Sequence, residues 1–248
     1  MGASFFHPSW PVLYEDNHLL GLYKPAGLLV QGDATGDACL LDLGKQWLKM
    51  RYRKPGNVFL GLVHRLDRPV AGAMVFAKTS KAAARLSEQF RSRKTEKRYL
   101  AVVEGRLSAR EGRLVHYLGK AGRSVRATPD PSEGARRASL RYKVLDAESD
   151  RSLISIFLET GRKHQIRAQL AAIGHPVVGD LRYGGSAPLP RGALALLASS
   201  LAFTHPVRRE PVVLSVPPPV GWPWRGGKAD PAPPWHWKDL AASGMIPE

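Results

Sequence analysis

The chain is poor in cysteine, in acidic residues and in long apolar stretches. A single cysteine, Cys39, excludes a disulfide framework and any multi-cysteine zinc or iron–sulfur site, and it suits a reducing compartment. The longest apolar candidate, residues 192–207, is bounded by Arg191 and Arg208 and carries His205, so no run long enough to cross a bilayer is present. The N-terminus lacks the basic-then-apolar order of a secretory signal, and Phe6 stands where N-myristoylation needs Ser or Thr. There is no GxxxxGK[ST] loop, no GxGxxG, no GxSxG, and no metal-ligand spacing among His64, His164, His175 and His205. The expectation is a soluble cytoplasmic protein with no metal, no nucleotide cofactor and no membrane partner.

The shortage of acid is uneven. Across 248 residues, 37 Lys and Arg face 21 Asp and Glu, a net charge of +16. Residues 51–100 hold 13 basic and 3 acidic side chains, whereas residues 1–50 hold 3 and 5. Such a concentration raises the local potential for polyanions. Nucleic acid is favoured over anionic lipid, because no basic amphipathic helix carries an exposed aromatic face. With 44% hydrophobic residues the chain is globular, and its length suits one large domain or two small ones.

Apolar runs bounded by Gly, Pro or charge predict strands at residues 19–24, 58–63, 72–77, 98–103, 140–145 and 153–158. Helical spacing of Ala83, Leu86 and Phe90 predicts a helix over 80–93 with Ser80 as its cap. Ile166, Leu170 and Ile173 predict a second over 164–173, and a third is expected near 37–52. Many strands with few, irregularly placed helices imply an α+β fold with a mostly antiparallel sheet. From residue 217 onward prolines and tryptophans crowd together. Residues 1–220 are therefore read as the folded domain and 221–248 as a Pro/Trp-rich tail that packs its tryptophans back.

Three segments could carry chemistry. In His64-Arg65-Leu66-Asp67-Arg68-Pro69, a loop between two predicted strands, a carboxylate flanked by guanidinium groups is favoured as the anion, fit to act as nucleophile or base. An ion pair pinning a turn explains the same residues. In Thr160–Arg167 a strand ends and a helix begins, bringing Arg162, Lys163 and Arg167 beside free backbone amides; an anion site and a solvated helix start are both open. In Lys94–Gly105, Tyr99 follows the cations Lys94 and Lys97, which permits base stacking beside phosphate contacts or plain core packing.

Together these segments resemble the RluA-type family of RNA pseudouridine synthases. Lys24-Pro25-Ala26-Gly27 resembles its KPxG turn, Val63–Arg68 its HRLDR segment, Ala77-Lys78-Thr79 its AKT, and Lys97–Gly105 its KxYxAxVxG strand. Gly161–Arg167 is similar to GRxHQIR, followed by Gly174–Asp180 (GHPVVGD), Tyr183-Gly184, and Leu201–Pro206 for the late LxFxHP element. Val70-Ala71-Gly72 departs from the usual Thr-Ser-Gly, and no S4-type domain is expected before Lys24. The resemblance implies a pseudouridine synthase-like catalytic domain: a mixed, mostly antiparallel sheet with flanking helices and one cleft. It implies Asp67, Tyr99 and Arg162 as catalytic, Asp67 reacting at ribose or base, Tyr99 stacking on uracil or assisting loss of the C5 proton, and Arg162 pairing with Asp67. Arg65, Arg68, Lys94, Lys97, Lys163, His164 and Arg167 are the implied RNA contacts, with Arg65 taking the place of a flipped nucleotide. The implied substrate is a structured ribosomal or transfer RNA stem-loop, acted on by a monomer without cofactor. The alternative is a non-catalytic RNA-binding module or folding chaperone that keeps the fold.

Overall fold

A computed structural model describes residues 12–224, apart from positions 123, 132 and 220. In chain order the elements are β1 (Val12–Glu15), β2 (Leu19–Lys24), α1 (Leu40–Arg51), β3 (Gly61–Leu62), β4 (Ala71–Ala77), α2 (Ser80–Arg91) and β5 (Glu96–Glu104). Then follow β6 (Glu111–Ala121), β7 (Ser124–Thr128), β8 (Arg136–Ala147), β9 (Arg151–Leu158), α3 (Gln165–Ala172), β10 (Leu196–Thr204) and β11 (Pro211–Ser215). One sheet runs β1-β2-β4-β10-β5-β9-β8-β6-β7, with β11 on β10 and β3 on β4. Among the described strands only β10 and β4 pair in parallel. The sheet is thus mixed and mostly antiparallel, as expected.

The strand patterns differ with their place in it. β2 and β4 are buried at every position and read as continuous apolar runs, because both faces are covered. β9 alternates half-buried and buried residues, the period-two pattern of a strand with one face on the core. Of the stretch 58–63, only Gly61 and Leu62 pair as β3, because the chain then leaves the sheet to form the loop to β4. The hairpin β6–β7, the edge strand β1, and β10–β11 are additional to the strands expected from the sequence. β6 is half-buried along most of its length and offers no long apolar run to read.

Helix α2 begins one residue earlier than the cap expected at Ser80: Thr79 is the N-cap, its Oγ1 accepting from the Ala82 amide at 3.2 Å. Its buried face, Ala82 and Leu86, packs beside Val75 and Phe203; burying Leu86 contributes about 2 kcal/mol, which Leu86→Ala would remove.

Two packed halves meet near β10. One holds Leu20, Leu22, Met74 and Phe76 against α1; the other holds Val102, Ile154, Ile156 and Leu170 around α3. Tyr99 packs against both. Close approach at the seam needs glycine: Gly72 has φ +143, and a Cβ there would lie 2.5 Å from the Ala198 carbonyl oxygen. Trp222 and Trp224 rest on the apolar cluster that holds β5 and β9. The tail from 225 to 248 lies outside the described residues.

Candidate active site

The seam opens into a cavity of about 1300 Å³ lined by residues from both halves. Its cations are Arg65, Arg68, Arg91, Arg93, Lys97, Arg162, Lys163, Arg167 and Arg182, against Asp33, Asp67 and Asp180. A smaller recess of about 80 Å³ is walled by Tyr99, Val70, Leu158, Ile166 and Leu196, with Asp67, Arg162 and Arg167 also bordering it.

Asp67 projects from the β3–β4 loop, which is closed by the Val70 amide donating to the Asp67 carbonyl at 3.0 Å. The loop is tied to β2 by Lys24, whose fully buried ammonium donates to the carbonyls of Pro25 (2.9 Å), Leu28 (2.8 Å) and Arg68 (3.0 Å). Three carbonyls match the three hydrogens of an ammonium. Burial nevertheless pulls its pKa down to about 7, with the charge of Asp67 acting against the fall. On the other side of the loop His64 stacks on Phe90 and accepts the Val75 amide at 3.0 Å through Nε2, so Nδ1 carries the hydrogen. Burial, and then the Lys97 charge, lower the His64 pKa to about 3, so the ring stays neutral.

The cation that meets Asp67 is Arg167, not Arg162. Arg167 Nη1 donates to Asp67 Oδ2 at 3.2 Å, while Nε and Nη2 grip Asp180 at 2.6 and 2.8 Å. Asp180 is 1% exposed, and the Tyr183 ring lies 4.9 Å from the guanidinium carbon. This two-point clamp leaves the Arg167 side chain only 6% exposed, although it lines the cavity. Arg162 stands in the loop before α3, where its amide donates to Gln165 Oε1 and its Nε reaches the Arg137 carbonyl at 3.4 Å. The first turn of α3 carries Arg167 inward, while Arg162 stays at the rim.

His164 enters α3 in the left-handed region, φ 53, uncommon for a residue with a side chain. Its Nδ1 is hydrogen-bonded to the Tyr183 hydroxyl at 2.8 Å, and that hydroxyl also accepts the Val125 amide. Nε2 lies 3.8 Å from Asp67 Oδ2. Burial lowers the His164 pKa, with Asp67 opposing. The ring lines the cavity, with its side chain only 8% exposed.

Tyr99 lines both the cavity and the recess, and its phenol pKa is raised by burial first and by Asp67 second. Arg65, Lys97 and Lys163 border the cavity. Arg68 borders it too, but is engaged by Asp37 at 2.7 Å and by the Gly27 carbonyl at 2.9 Å, so neither neighbour in sequence is the partner of Asp67. Lys94 is exposed outside the cavity lining, whereas Arg91, Arg93 and Lys97 border it. The sequence reading assigned no role to Lys24, Asp180 or Tyr183, although all three stand in segments that carry the resemblance. Among the described residues no cluster of His, Cys, Asp and Glu could hold a metal, and no helix is long and apolar enough to cross a membrane.

Residues 18–172 match the family model of the RNA pseudouridylate synthases. The chain belongs to that family. It is 36% identical over 84% of its length to an uncharacterized RNA pseudouridine synthase of Bacillus subtilis, YhcT, covering 68% of that protein. It is 35% identical to the ribosomal large subunit pseudouridine synthase D of Xylella fastidiosa, again over 84% of its own length and over 66% of the relative. The chain thus spans about two thirds of the length of these relatives. Among solved structures, human RNA Pseudouridylate Synthase Domain Containing 1 matches with a TM-score of 0.67 and 25% identity over 95% of this chain and 94% of that one. The human Domain Containing 4 protein matches with a TM-score of 0.74 at 24% identity, over 85% and 89%. Pseudouridine synthases are isomerases, and relatives named as synthases favour the catalytic reading over a binding-only module.

Proposed function

We propose that the chain isomerises uridines of structured RNA to pseudouridine, with large-subunit ribosomal RNA as the first substrate to test. One observation carries this: a part-exposed carboxylate, Asp67, at the mouth of an apolar recess inside a cation-lined cavity. A base held in a helix cannot reach such a recess, so the nucleotide must be flipped out, at a cost of a few kcal/mol. Phosphate contacts by the cavity's cations offset that cost.

In the reaction the N1–C1′ bond breaks, uracil turns, C5 bonds to C1′, C5 gives up its proton and N1 gains one. Asp67 acts at the ribose or the base, and the Arg167 guanidinium holds its carboxylate in place. A phenol with a raised pKa stays protonated near neutral pH, so Tyr99 serves as a stacking wall rather than as the base that removes the C5 proton. Arg162, Lys163, Lys97 and Arg65 all border the cavity, suited to phosphate and to the gap left by the flipped nucleotide. All these groups come from one chain, which supports a working monomer, and the single cysteine suits the cytoplasm. A stem-loop is the preferred substrate form, because loops surrender a base most easily. Residues 1–220 are assigned as the catalytic domain and 221–248 as a tail whose first tryptophans rest on it.

The test is pseudouridine mapping on protein-free large-subunit ribosomal RNA, incubated with the purified protein or with its Asp67→Asn variant. New pseudouridine with the parent protein alone supports the proposal; none with either protein rejects it.

A further inference from the structure

A second concentration of positive charge lies outside the cavity. From Leu43 to Leu66 there are six cations (Lys45, Lys49, Arg51, Arg53, Lys54, Arg65) and no acidic residue. Five of them sit on α1 or just beyond its C-terminus, none lining the cavity. A helix C-terminus favours cations through its dipole, which accounts for Lys49 and Arg51 in the last turn. It does not account for Arg53 and Lys54 past the helix end, nor for the apolar groups among them. Of the large hydrophobic side chains exposed among the described residues, the two aromatic ones are both here: Tyr52, 47% exposed, and Phe59, 52% exposed.

The two rings flank one end of β4. The Lys78 ammonium, next to the last residue of β4, lies 5.0 Å from the Tyr52 ring, and the Lys54 ammonium lies 5.8 Å from it. Gly61 pairs with Ala77 at that same strand end, and the tip of the Phe59 ring lies 3.3 Å from where a Cβ on Gly61 would stand. Tyr52 is held in place by its hydroxyl, which donates to Glu15 at 2.5 Å; Glu15 also takes Lys78 at 2.7 Å and Arg51 at 3.3 Å. Glu15 is spent on those partners, with its side chain only 3% exposed. Lys49 and Arg53 have no acidic partner among the described residues. The result is two exposed rings, one of them braced, with Lys49, Arg53 and Lys54 nearby in sequence and in no ion pair among the described residues.

We infer that this surface binds single-stranded RNA flanking the modified site, its bases stacking on Tyr52 and Phe59 and its phosphates meeting Lys49, Arg53 and Lys54. Rings that accept any base, interleaved with cations, are the chemistry of sequence-tolerant single-strand binding. Phe59 is eight residues before Asp67, which limits their separation to about 28 Å of extended chain, so one RNA can occupy both places. The inference rests on RNA being the substrate, and it extends that reading to a surface away from the catalytic cavity.

Two RNAs test it: a blunt hairpin, and the same hairpin carrying a 12-nucleotide oligoadenylate overhang, which holds no uridine. Affinities are measured by fluorescence anisotropy over a range of salt. The parent protein should hold the overhang RNA about tenfold tighter than the blunt one, as one or two stacked bases would give. Arg53→Asn/Lys54→Ala/Phe59→Ala should lose that advantage, and its salt slope on the overhang RNA should flatten by about 1.4 for two lost phosphate contacts. Asn suits the left-handed backbone of Arg53, φ 48, and an unchanged thermal midpoint shows that the variant folds. Phe59→Trp should keep or raise the advantage. Equal affinity of the parent protein for both RNAs overturns the inference and leaves the patch to a protein partner; so does an advantage that survives the triple substitution. Isomerisation of large-subunit ribosomal RNA is followed separately, so its absence rejects the proposed function while the overhang comparison still stands or falls by itself.

Discussion

Asp67 and Asp16 are both aspartates beside basic residues, and their surroundings give them opposite duties. Asp16 accepts from the amides of His18 and Leu19 at 2.8 Å each, from the Tyr14 hydroxyl at 3.0 Å, and from His205 at 2.8 Å. His205 is fully buried, and its Nδ1 takes the amides of Val207 and Arg208, so Nε2 carries the hydrogen given to Asp16. Arg208 completes the cluster on Asp16 and Tyr14. Asp16 is a tie between β1, β2 and the β10–β11 turn. Asp67 accepts one hydrogen bond, from Arg167, and the rest of the carboxylate faces the cavity. A saturated carboxylate stabilises a fold; one with unused lone pairs, held at a single point, remains able to react.

Five substitutions at four positions bear on that contrast. Asp67→Asn should lower the rate of pseudouridine formation by at least about 10³-fold while RNA affinity changes by less than about twofold. Comparable turnover in both proteins would mean that the free carboxylate is not the reacting group. Arg167→Ala leaves Asp180 buried without its partner, so it should destabilise the protein by about 3–5 kcal/mol in urea unfolding and abolish turnover. Arg167→Lys should recover part of the stability but not the two-point grip on Asp180. A variant as stable as the parent would show that the buried pair is not needed for folding.

Asp16→Asn should cost about 2 kcal/mol of stability and leave turnover per folded molecule unchanged, which separates the tie from the site. Burial raises the Asp16 pKa, but hydrogen bonds from His18, Leu19, Tyr14 and His205 outweigh it and hold the carboxyl below its ordinary value of 3.8. With the folded value depressed, the stabilising contribution is present above about pH 4 and is lost as pH falls through the folded value. The gap in stability between the parent and the variant should therefore narrow from pH 5 to pH 3; a gap that widens would reverse the sign of this linkage. Arg162→Ala should have the smallest effect, a reduction in turnover of less than about tenfold with no loss of stability, because its side chain rests on a single long bond at the rim. A collapse of turnover to the level of Asp67→Asn would return Arg162 to the centre of the chemistry.

The expected pairing of Arg162 with Asp67 shows where reading residues in a row stops working. Arg162 and Arg167 stand in one short basic segment, and nothing local tells which guanidinium will be turned inward. The helix start at Gln165 decides it, together with Asp180, which comes 13 residues after Arg167 and reaches it only through the packing of the turn after α3. Lys24 was similarly hidden, since its partners Leu28 and Arg68 are 4 and 44 residues away. Tyr99 was easier to read: a tyrosine on an apolar strand beside cations had two candidate roles, and the structure has it pack at the seam and line the recess together.

From composition and pattern alone came the polyanion partner, the mixed sheet with few helices, and the loop that carries Asp67. Those properties depend on how many charges a segment holds and on the period of its apolar residues, and both are local. The identity of the arginine beside Asp67, the burial of Lys24 and His164, and the division of duties between two aspartates were decided by tertiary contacts. Each depends on which groups from distant segments satisfy a buried polar atom, and in a chain that is settled only when the sheet closes around it.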